Sequence, residues 1–600
     1  MKEFFKMFFA SLLAMVVAGF IVIGLIIAGI AGLTKSIDEK EADKKNGNVL
    51  VIDLGKRIHE QGAINSLAMF NEDGAAYEGG LYDLTKAIVR AKTDGNIKGI
   101  LLKLSPSPNG WATLQQLRSA LMDFKTSKKF IYAYGEHITQ SAYYVASAAD
   151  SVYLNPAGHI ELKGFATVLA FFKGTLEKLE LEPEIFYAGK FKSATEPFRA
   201  DKMSEPNRIQ IQAFQKGIWN QFLEAAAQYT HADKDTIHQW AVNGVVQFPA
   251  DALKCKMIAG LLYWDEVEQR LRVRTGQKES DEIKYVAIND YTKNNRVADR
   301  AARADGKLKD QKIAILIAEG NIVDGEQTDD NEIASKTFCD EIRKVRNDDK
   351  IKAVVLRVNS PGGSAMASEV ILRELTLLKQ KKHLIVSMGD YAASGGYYIS
   401  SQADSIFAMP NTITGSIGVF SMLFSMDKLM KNKLGVTFDE VKNAPFADEP
   451  TISRPLTPQE AKRMQNSVDT IYALFKNHVA QGRRLTASDV DTISQGRVWT
   501  GSDAMDIGLV DGMGGLSRAI ASAASMANIK DYKVVTYPAA EDKLTRLLRR
   551  ISSRTNANES IKAAMKQELG EGYEWYEKIQ DLRKMNGKAM MMMPFVPRVN

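Results

Sequence analysis

Cysteine and histidine are scarce in this chain, and their scarcity removes several classes of function. Two cysteines, Cys255 and Cys339, occur in 600 residues, and no CxxC spacing is present, which excludes a zinc ribbon or a redox pair. We expect both to be free thiols. Seven histidines occur, but none stands in a motif beside the other candidate catalytic residues, so a Ser-His-Asp triad has no evident members. The sequence offers no metal site and calls for no cofactor.

Signatures of nucleic-acid and nucleotide binding are also missing. The formal net charge is +6, and no basic patch carries interleaved aromatic residues, so nucleic acid is not expected as a partner. No GxxxxGK[ST] loop occurs, which disfavours ATP hydrolysis within this chain. Apolar residues make up 45% and charged residues 25%, which is ordinary for globular domains.

A long uncharged run stands near the N-terminus. Residues 7–33 contain no charged side chain, and as a helix they would reach roughly 40 Å, more than the ~30 Å hydrocarbon core. A cleaved signal peptide would have a shorter apolar region and a small-residue cleavage site, and a buried core helix would rarely be so long. Lys2 and Lys6 precede the run and favour a cytoplasmic N-terminus. The sequence therefore predicts a cytoplasmic N-terminus, a transmembrane anchor and a charged tether, at residues 1–6, 7–33 and 34–46.

The remainder of the chain is an internal repeat. Residues 97–154 align with residues 351–408 at a constant offset of 254, without a gap. Tyr143-Tyr144 then matches Tyr397-Tyr398, and the apolar segment ILLKL matches VVLRV. We expect two copies of one fold, with an N-terminal repeat at 47–305, a C-terminal repeat at 306–545 and a helical or disordered tail at 546–600.

Each copy is predicted to be an α/β domain. The runs KIAILIA (312–318), KAVVLRV (352–358) and HLIVSMG (383–389) are near-continuous apolar segments, typical of strands in a parallel sheet covered on both faces. Helical spacing separates them, which indicates right-handed strand–helix–strand units. Charged helical inserts are predicted at about 205–272 and 457–484.

Positions at which the two copies differ point to chemistry. Ser394 follows a buried strand and precedes Gly395-Gly396, whereas the first copy has Gln140 there. The second copy also carries SPGGS (360–364), where paired glycines can bring backbone N–H groups close to a ligand. An N–H of this loop and that of Gly395 could form an oxyanion hole beside a serine nucleophile. Tight packing turns are the alternative explanation for both glycine motifs.

A serine nucleophile needs a base, and a lysine can serve if burial lowers its pKa. Lys192 lies in GKFKSATEPF (189–198), and the corresponding segment of the second copy, NAPFADEP, has no lysine. A solvated lysine is the ordinary alternative. Each copy therefore has one candidate feature that the other lacks.

These motifs, together with NTITGSIGV and the N-terminal anchor, resemble the long, double-domain form of the signal peptide peptidase A family, serine peptidases of bacterial inner membranes. The resemblance implies a fold related to the Clp protease subunit and the crotonases. The expected fold is thus α/β, a tandem repeat of two Clp-protease/crotonase-like domains with helical inserts, preceded by one transmembrane helix. By the same resemblance, Ser394 is the nucleophile, Lys192 the general base, Ser416 the residue that orients the lysine, and Gly363 and Gly395 the oxyanion-hole donors. Leu162 replaces Ser416 in the first copy.

The family resemblance also implies a substrate and a setting. Members degrade signal peptides and other apolar peptides at the outer face of the inner membrane, and they assemble as homo-oligomers, here expected to be a homo-tetramer with periplasmic catalytic domains. Two alternatives remain. A crotonase-like acyl-transfer enzyme would share the glycines but would not need Ser394 and Lys192, and a non-catalytic membrane scaffold would have lost the site residues in both copies.

Overall fold

The computed structural model describes residues 48–64, 77–278, 280–294, 311–329, 331–539 and 587–593. The predicted anchor and tether lie outside these ranges. Within them, the helices are all too short or too polar to cross a bilayer.

A parallel sheet forms the core of the first half of the chain. Ile100, Leu101 and Leu102 on a central strand are fully buried, as expected for a sheet covered on both faces. The strands of this half are β1 (Val49–Asp53), β2 (Ala63–Ile64), β3 (Tyr77–Glu78), β4 (Gly99–Leu104), β5 (Phe130–Ile138), β6 (Ser151–Ile160), β7 (Glu182–Ala188), β8 (Gly260–Leu261) and β9 (Tyr285–Ala287). Their order in the main sheet is β8-β6-β5-β4-β1-β9, and β2 and β3 form a separate pair.

The helices of this half include the predicted insert. Its longest helix begins after Ser204, whose hydroxyl accepts a hydrogen bond from the Asn207 amide, and it ends at His231 in the left-handed conformation, both common helix boundaries. The helices are α1 (Leu81–Thr93), α2 (Trp111–Lys125), α3 (Gln140–Ala146), α4 (Lys173–Lys178), α5 (Glu196–Arg199), α6 (Glu205–Thr230), α7 (Lys234–Val242), α8 (Pro249–Lys254) and α9 (Trp264–Thr275).

The second half repeats this architecture. Its strands are β10 (Lys312–Glu319), β11 (Asn321–Val323), β12 (Glu332–Ala334), β13 (Ile351–Ser360), β14 (Gly362–Ser364), β15 (His383–Ala393), β16 (Ser405–Ala408), β17 (Ile413–Gly415), β18 (Val419–Ser425), β19 (Val498–Thr500), β20 (Gly512–Met513), β21 (Lys533–Tyr537) and β22 (Ala589–Met592). The main sheet has the order β19-β17-β15-β13-β10-β21, with β16 on β15 and β20 on β16.

Strand pairing extends the internal repeat beyond the aligned residues. The series β9-β1-β4-β5-β6-β8 in the first half corresponds to β21-β10-β13-β15-β16-β20 in the second. Tyr153 pairs with Gly260, and Phe407, which lies 254 residues after Tyr153, pairs with Gly512. The two halves are therefore copies of one parallel α/β domain, as the sequence predicts.

The helices of the second half follow the predicted segments. Thr457 and Glu460 form a capping box at the start of the long helix, a common N-terminal signal. The helices are α10 (Ser335–Asn347), α11 (Ala365–Lys379), α12 (Gly395–Ser400), α13 (Pro458–Arg483), α14 (Ala487–Ile493), α15 (Gly501–Asp506) and α16 (Leu516–Met526).

A third sheet interlocks the two halves. Its order is β12-β11-β14-β22-β18-β7, and β7, from the first half, pairs antiparallel with β18 along their whole lengths. A buried ion pair also crosses between the halves, since Arg357 on β13 donates to both carboxylate oxygens of Glu60 at 2.8 Å. The halves are therefore joined by backbone and side-chain bonds as well as by their linker.

Two expectations need correction. The predicted helical or disordered tail at 546–600 is wrong for Ala589–Met592, which form β22 because this uncharged methionine run finds strand partners on both sides. The predicted loop SPGGS contains the short strand β14. Both cysteines are free, Cys339 buried and Cys255 half-buried.

Candidate active site

Ser394 lies at a sharp turn between a buried strand and a short helix. It follows β15 and immediately precedes α12, and its backbone has φ 55° and ψ −113°. A side chain with positive φ is uncommon and strained, and such residues cluster at functional sites. The Ser394 amide donates to the carbonyl of Gly415, which fixes the turn against β17. This strained strand-to-helix turn resembles a nucleophile elbow in its backbone.

Lys192 reaches this turn from the first half of the chain. It follows β7, whose pairing with β18 carries the connection between halves. The amide of Phe191 donates to the Gln495 carbonyl, and that of Lys192 closes a turn onto Gly189. Two glycines make room for the side chain: a Cβ on Gly496 would lie 2.7 Å from the Lys192 Cβ, and one on Gly418 would lie 3.1 Å from its Cδ.

The Lys192 Nζ lies within hydrogen-bonding distance of three oxygens. It is 2.8 Å from the Ser394 Oγ, 3.1 Å from the Ser416 carbonyl oxygen and 3.2 Å from the Ser416 Oγ. Ser416 also has a positive φ, of 50°, and its amide donates to the Arg497 carbonyl. The structure thus brings together the three side chains that the sequence singles out as nucleophile, base and orienting serine.

Burial sets the charge of the lysine. The Lys192 side chain is 1% exposed, and loss of hydration lowers its pKa well below the ordinary value. Among the described residues, no carboxylate forms an ion pair with it, so nothing offsets the cost of a buried ammonium. Burial therefore favours the neutral amine form of the Lys192 side chain, which can accept a proton.

The two glycine motifs meet beside Ser394. A Cβ built on Gly362 would lie 2.7 Å from the Gly395 nitrogen, and one on Gly363 would lie 2.0 Å from the Ile322 carbonyl oxygen. Only glycine permits these backbone approaches. The structure therefore places the paired glycines and Gly395 next to one another, beside the nucleophile.

Comparison with known proteins identifies the family. The sequence matches Peptidase family S49 at residues 123–278 and again at 376–530, one match in each half. The chain belongs to peptidase family S49. It also matches the Clp protease family at residues 305–414, in agreement with the α/β domain described above.

Several curated proteins resemble the S49 chain over much of its length. Protease 4 of Salmonella typhi is 35% identical over 81% of this chain and 78% of its own length. The chloroplastic serine protease SPPA of Arabidopsis thaliana is 33% identical over 82% of this chain and 71% of its own. The putative signal peptide peptidase SppA of Enterococcus faecium is 33% identical over 43% of this chain and 71% of its own. The chain is therefore a serine peptidase with two tandem S49 domains.

The first S49 domain has a different arrangement at the equivalent turn. Gln140 stands at the position of Ser394, and its carboxamide accepts from the amides of Lys163 and Gly164 and donates to the Gly164 carbonyl. Leu162, the counterpart of Ser416, is buried. The Gln140 carboxamide thus satisfies its polar groups within the loop, and no lysine side chain of the described residues bonds to it.

A buried polar network behind Lys192 is not evident from the sequence. The Gln210 amide group donates to the Ser193 hydroxyl and the Phe191 carbonyl, and its oxygen accepts from the Val498 amide. Asn207 links Ser193 to the buried Glu196. The spacing of Asn207 and Gln210, three residues apart at the start of α6, places both on one helix face, which was the available signal.

Proposed function

We propose that the chain hydrolyses peptide bonds with a dyad in which Ser394 is the nucleophile and Lys192 is the general base. The observation that carries the proposal is the 2.8 Å distance between the Lys192 Nζ and the Ser394 Oγ. A neutral amine has two N–H groups and one lone pair. The two N–H groups match the carbonyl and hydroxyl oxygens of Ser416, and the lone pair then faces the Ser394 hydroxyl.

Peptide cleavage would proceed through an acyl-enzyme. Lys192 accepts the hydroxyl proton as the Ser394 oxygen attacks the substrate carbonyl, and the N–H groups of Gly363 and Gly395 stabilise the oxyanion. The ammonium then gives its proton to the departing amine, and the new C–O bond replaces the broken C–N bond. In the second stage Lys192 takes a proton from water as the water oxygen attacks the ester carbonyl, and it returns this proton to the Ser394 oxygen as the ester C–O bond breaks and the acid product leaves.

Substrate and location follow from the relatives and the N-terminal sequence. The name of the Enterococcus relative refers to signal peptides, which are apolar and extended once released. The uncharged run at 7–33 would hold the peptidase domains at the surface of the bacterial inner membrane, on the periplasmic side. Cleaved signal peptides left in that membrane are the substrates that we propose, together with other apolar peptides.

Unused strand positions support assembly of several copies. The repeat equivalents of β18 and β7 are residues 165–171 and about 436–442, and the structure shows no strand pairing for either segment. Val168 is 91% exposed and Val441 is fully exposed. Strands β7 and β18 pair with each other within the chain. Residues 436–442 of one copy can pair in the same way with residues 165–171 of a neighbouring copy. Repeated pairing of this kind can close a ring, such as the homo-tetramer. Analytical ultracentrifugation would measure the molar mass, and a monomer would refute this assembly.

The decisive test of the dyad is the activity of single variants. We expect Ser394→Ala and Lys192→Ala each to lower the rate of hydrolysis of a fluorogenic apolar peptide by roughly 10³-fold or more, because the nucleophile and the base of the proposed dyad act together. Matched controls are Ser141→Ala, in the corresponding turn of the first domain, and Lys190→Ala, an exposed lysine two residues away. Near-normal activity of Lys192→Ala in a folded protein would contradict the assignment.

A further inference from the structure

The last described segment of the chain forms a strand inside the candidate active site. In β22, Met592, Met591 and Met590 pair antiparallel with Gly362, Gly363 and Ser364 of β14. On its other edge, β22 pairs antiparallel with Phe420 and Ser421 of β18. Strand β22 therefore lies between the paired glycines of β14 and strand β18, whose other edge pairs with β7.

The same segment covers the oxyanion-hole glycines. A Cβ on Gly362 would lie 2.0 Å from the Met591 carbonyl oxygen, and one on Gly395 would lie 3.0 Å from it. Met591 is fully buried, and so is Ser394. A nucleophile with no exposed surface cannot meet an incoming peptide until something moves, and the methionine strand is the element lying on its glycines.

Without β22, strands β14 and β18 would present two facing edges. Neighbouring strands lie about 4.8 Å apart, so the gap that β22 fills is about 10 Å wide and takes one extended chain. Unpaired edges bind extended peptides through main-chain hydrogen bonds, and side-chain pockets add selectivity. The slot between β14 and β18 thus has the form expected of a binding site for an extended peptide next to Ser394.

Contacts at each end hold the segment in place. The Met593 amide donates to the Pro361 carbonyl at 2.7 Å, and the Gly587 amide donates to the Met422 carbonyl at 3.1 Å. The Lys588 ammonium lies 3.1 Å from the Asp324 carboxylate. Beyond the strand pairing with β14 and β18, the segment is thus held by modest contacts, namely backbone bonds at two ends and one exposed ion pair.

We propose that residues 587–593 act as an internal substrate mimic that occupies the peptide slot between β14 and β18 and must leave before a substrate binds. The proposal rests on the peptidase function above. It also assigns the substrate's path: an extended apolar peptide antiparallel to both strands, with an unbranched side chain such as methionine at the position of Met591. Because the mimic is part of the chain, it competes at a high effective concentration.

The first test weakens the mimic. Met591→Glu places a charge at a fully buried site of β22, whereas Met526→Glu, the matched control, changes an exposed methionine at the end of α16. If the mimic fills the slot in nine of ten molecules, we expect Met591→Glu to raise kcat/KM for an apolar fluorogenic peptide about tenfold. The Met526→Glu variant should keep the kcat/KM of the unaltered chain. An unchanged or lower kcat/KM for Met591→Glu, in a protein that melts normally, would mean that β22 is only a structural strand.

The second test leaves the mimic unaltered and does not depend on hydrolysis. Hydrogen exchange of residues 587–593 would be measured in the Ser394→Ala chain, with and without a leucine- and alanine-rich peptide of about ten residues. We expect the added peptide to speed exchange of these amides at least severalfold, because both cannot occupy one slot. Bound peptide with unchanged protection would overturn the proposal while the peptidase function stands. If no peptide binds either the Ser394→Ala chain or its Met591→Glu form, both the mimic and the proposed peptidase function are contradicted.

Discussion

At the scale of single residues, Lys192 combines burial, a lowered pKa and three oxygen contacts within one side chain. An unpaired buried ammonium is costly, so the folded protein holds this lysine neutral at a pH where the unfolded chain would protonate it. Activity that depends on the neutral amine should rise with pH through the folded-state pKa of Lys192. The same lowered pKa has a consequence for stability that can be measured without any substrate.

We predict that Lys192→Met stabilises the folded protein near pH 7. The folded pKa is lowered, so the unfolded chain binds more protons between that pKa and about 10.4, and stability rises with pH across this window. The wild-type protein therefore carries a penalty at neutral pH that fades as the pH approaches 10, whereas the methionine variant carries none. Urea unfolding of both proteins at several pH values checks this, and we expect their difference to shrink as the pH rises. Lys190→Met, at an exposed lysine, is the control, and a constant difference would contradict the prediction.

The residues of the proposed dyad stand out in the sequence because a repeated chain supplies its own comparison. Ser394 and the paired glycines stand out against Gln140 and PSPNG in the first copy. Lys192 stands out because NAPFADEP has no lysine. The position of Lys192 relative to Ser394 was not predictable in the same way, since 202 residues separate them. It depends on the pairing of β7 with β18, and a long-range strand pair leaves no periodic signal in either segment.

At the scale of elements, the start of α6 supports the segment that carries Lys192. Gln210 is 1% exposed, and its carboxamide joins this segment to Val498 on β19. Strand β19 pairs with β17, next to Ser416. A single glutamine therefore connects the backbone before Lys192 to β19, the strand that pairs with β17 next to Ser416. The sequence could not reveal this role, because a glutamine in a charged, helical insert has the composition of a solvated surface.

We predict that Gln210→Leu lowers kcat about tenfold and leaves KM nearly unchanged. The leucine fills similar volume but leaves the Phe191 carbonyl and the Val498 amide without partners, which costs roughly 1–3 kcal/mol for each buried group and lets the Lys192 segment shift. Steady-state kinetics with an apolar peptide give the two parameters, and the pH profile should shift as the surroundings of Lys192 change. Gln215→Leu, on the same helix but bonded to Thr167, is the control. A loss confined to KM would argue that Gln210 acts on substrate binding instead.

At the scale of the whole molecule, each half supplies a different part of the candidate active site. The first domain provides β7 and Lys192, and the second provides Ser394, Ser416 and the paired glycines. The tandem α/β organisation could be predicted from the offset of 254, because it repeats the same strand residues. The interlocking third sheet could not, because β22 and β14 are short and contain neither alternation nor β-branched residues. Tertiary pairing decides their conformation rather than local preference.

The buried ion pair between Glu60 and Arg357 should measure how strongly the halves depend on each other. Arg357 is fully buried and also donates to the Ser387 hydroxyl and the Met388 carbonyl. We predict that Glu60→Gln destabilises the protein by about 3–5 kcal/mol, because it removes the carboxylate that pairs directly with the buried guanidinium. Glu60→Leu combined with Arg357→Met should recover much of this loss, since neither charge of the buried pair then remains to be desolvated.

Urea unfolding at fixed protein concentration tests this coupling, with Asp123→Asn as the control. Asp123 pairs with Lys92 at 2.8 Å on the surface of the first domain, and loss of such an exposed pair costs less than about 1 kcal/mol. Arg357 lies near the end of β13, which finishes at Ser360 shortly before the paired glycines. Glu60→Gln should therefore also lower peptidase activity, although Glu60 lies in the other domain. A Glu60→Gln variant as stable and active as the Asp123→Asn control would mean that the third sheet alone aligns the two halves of the site.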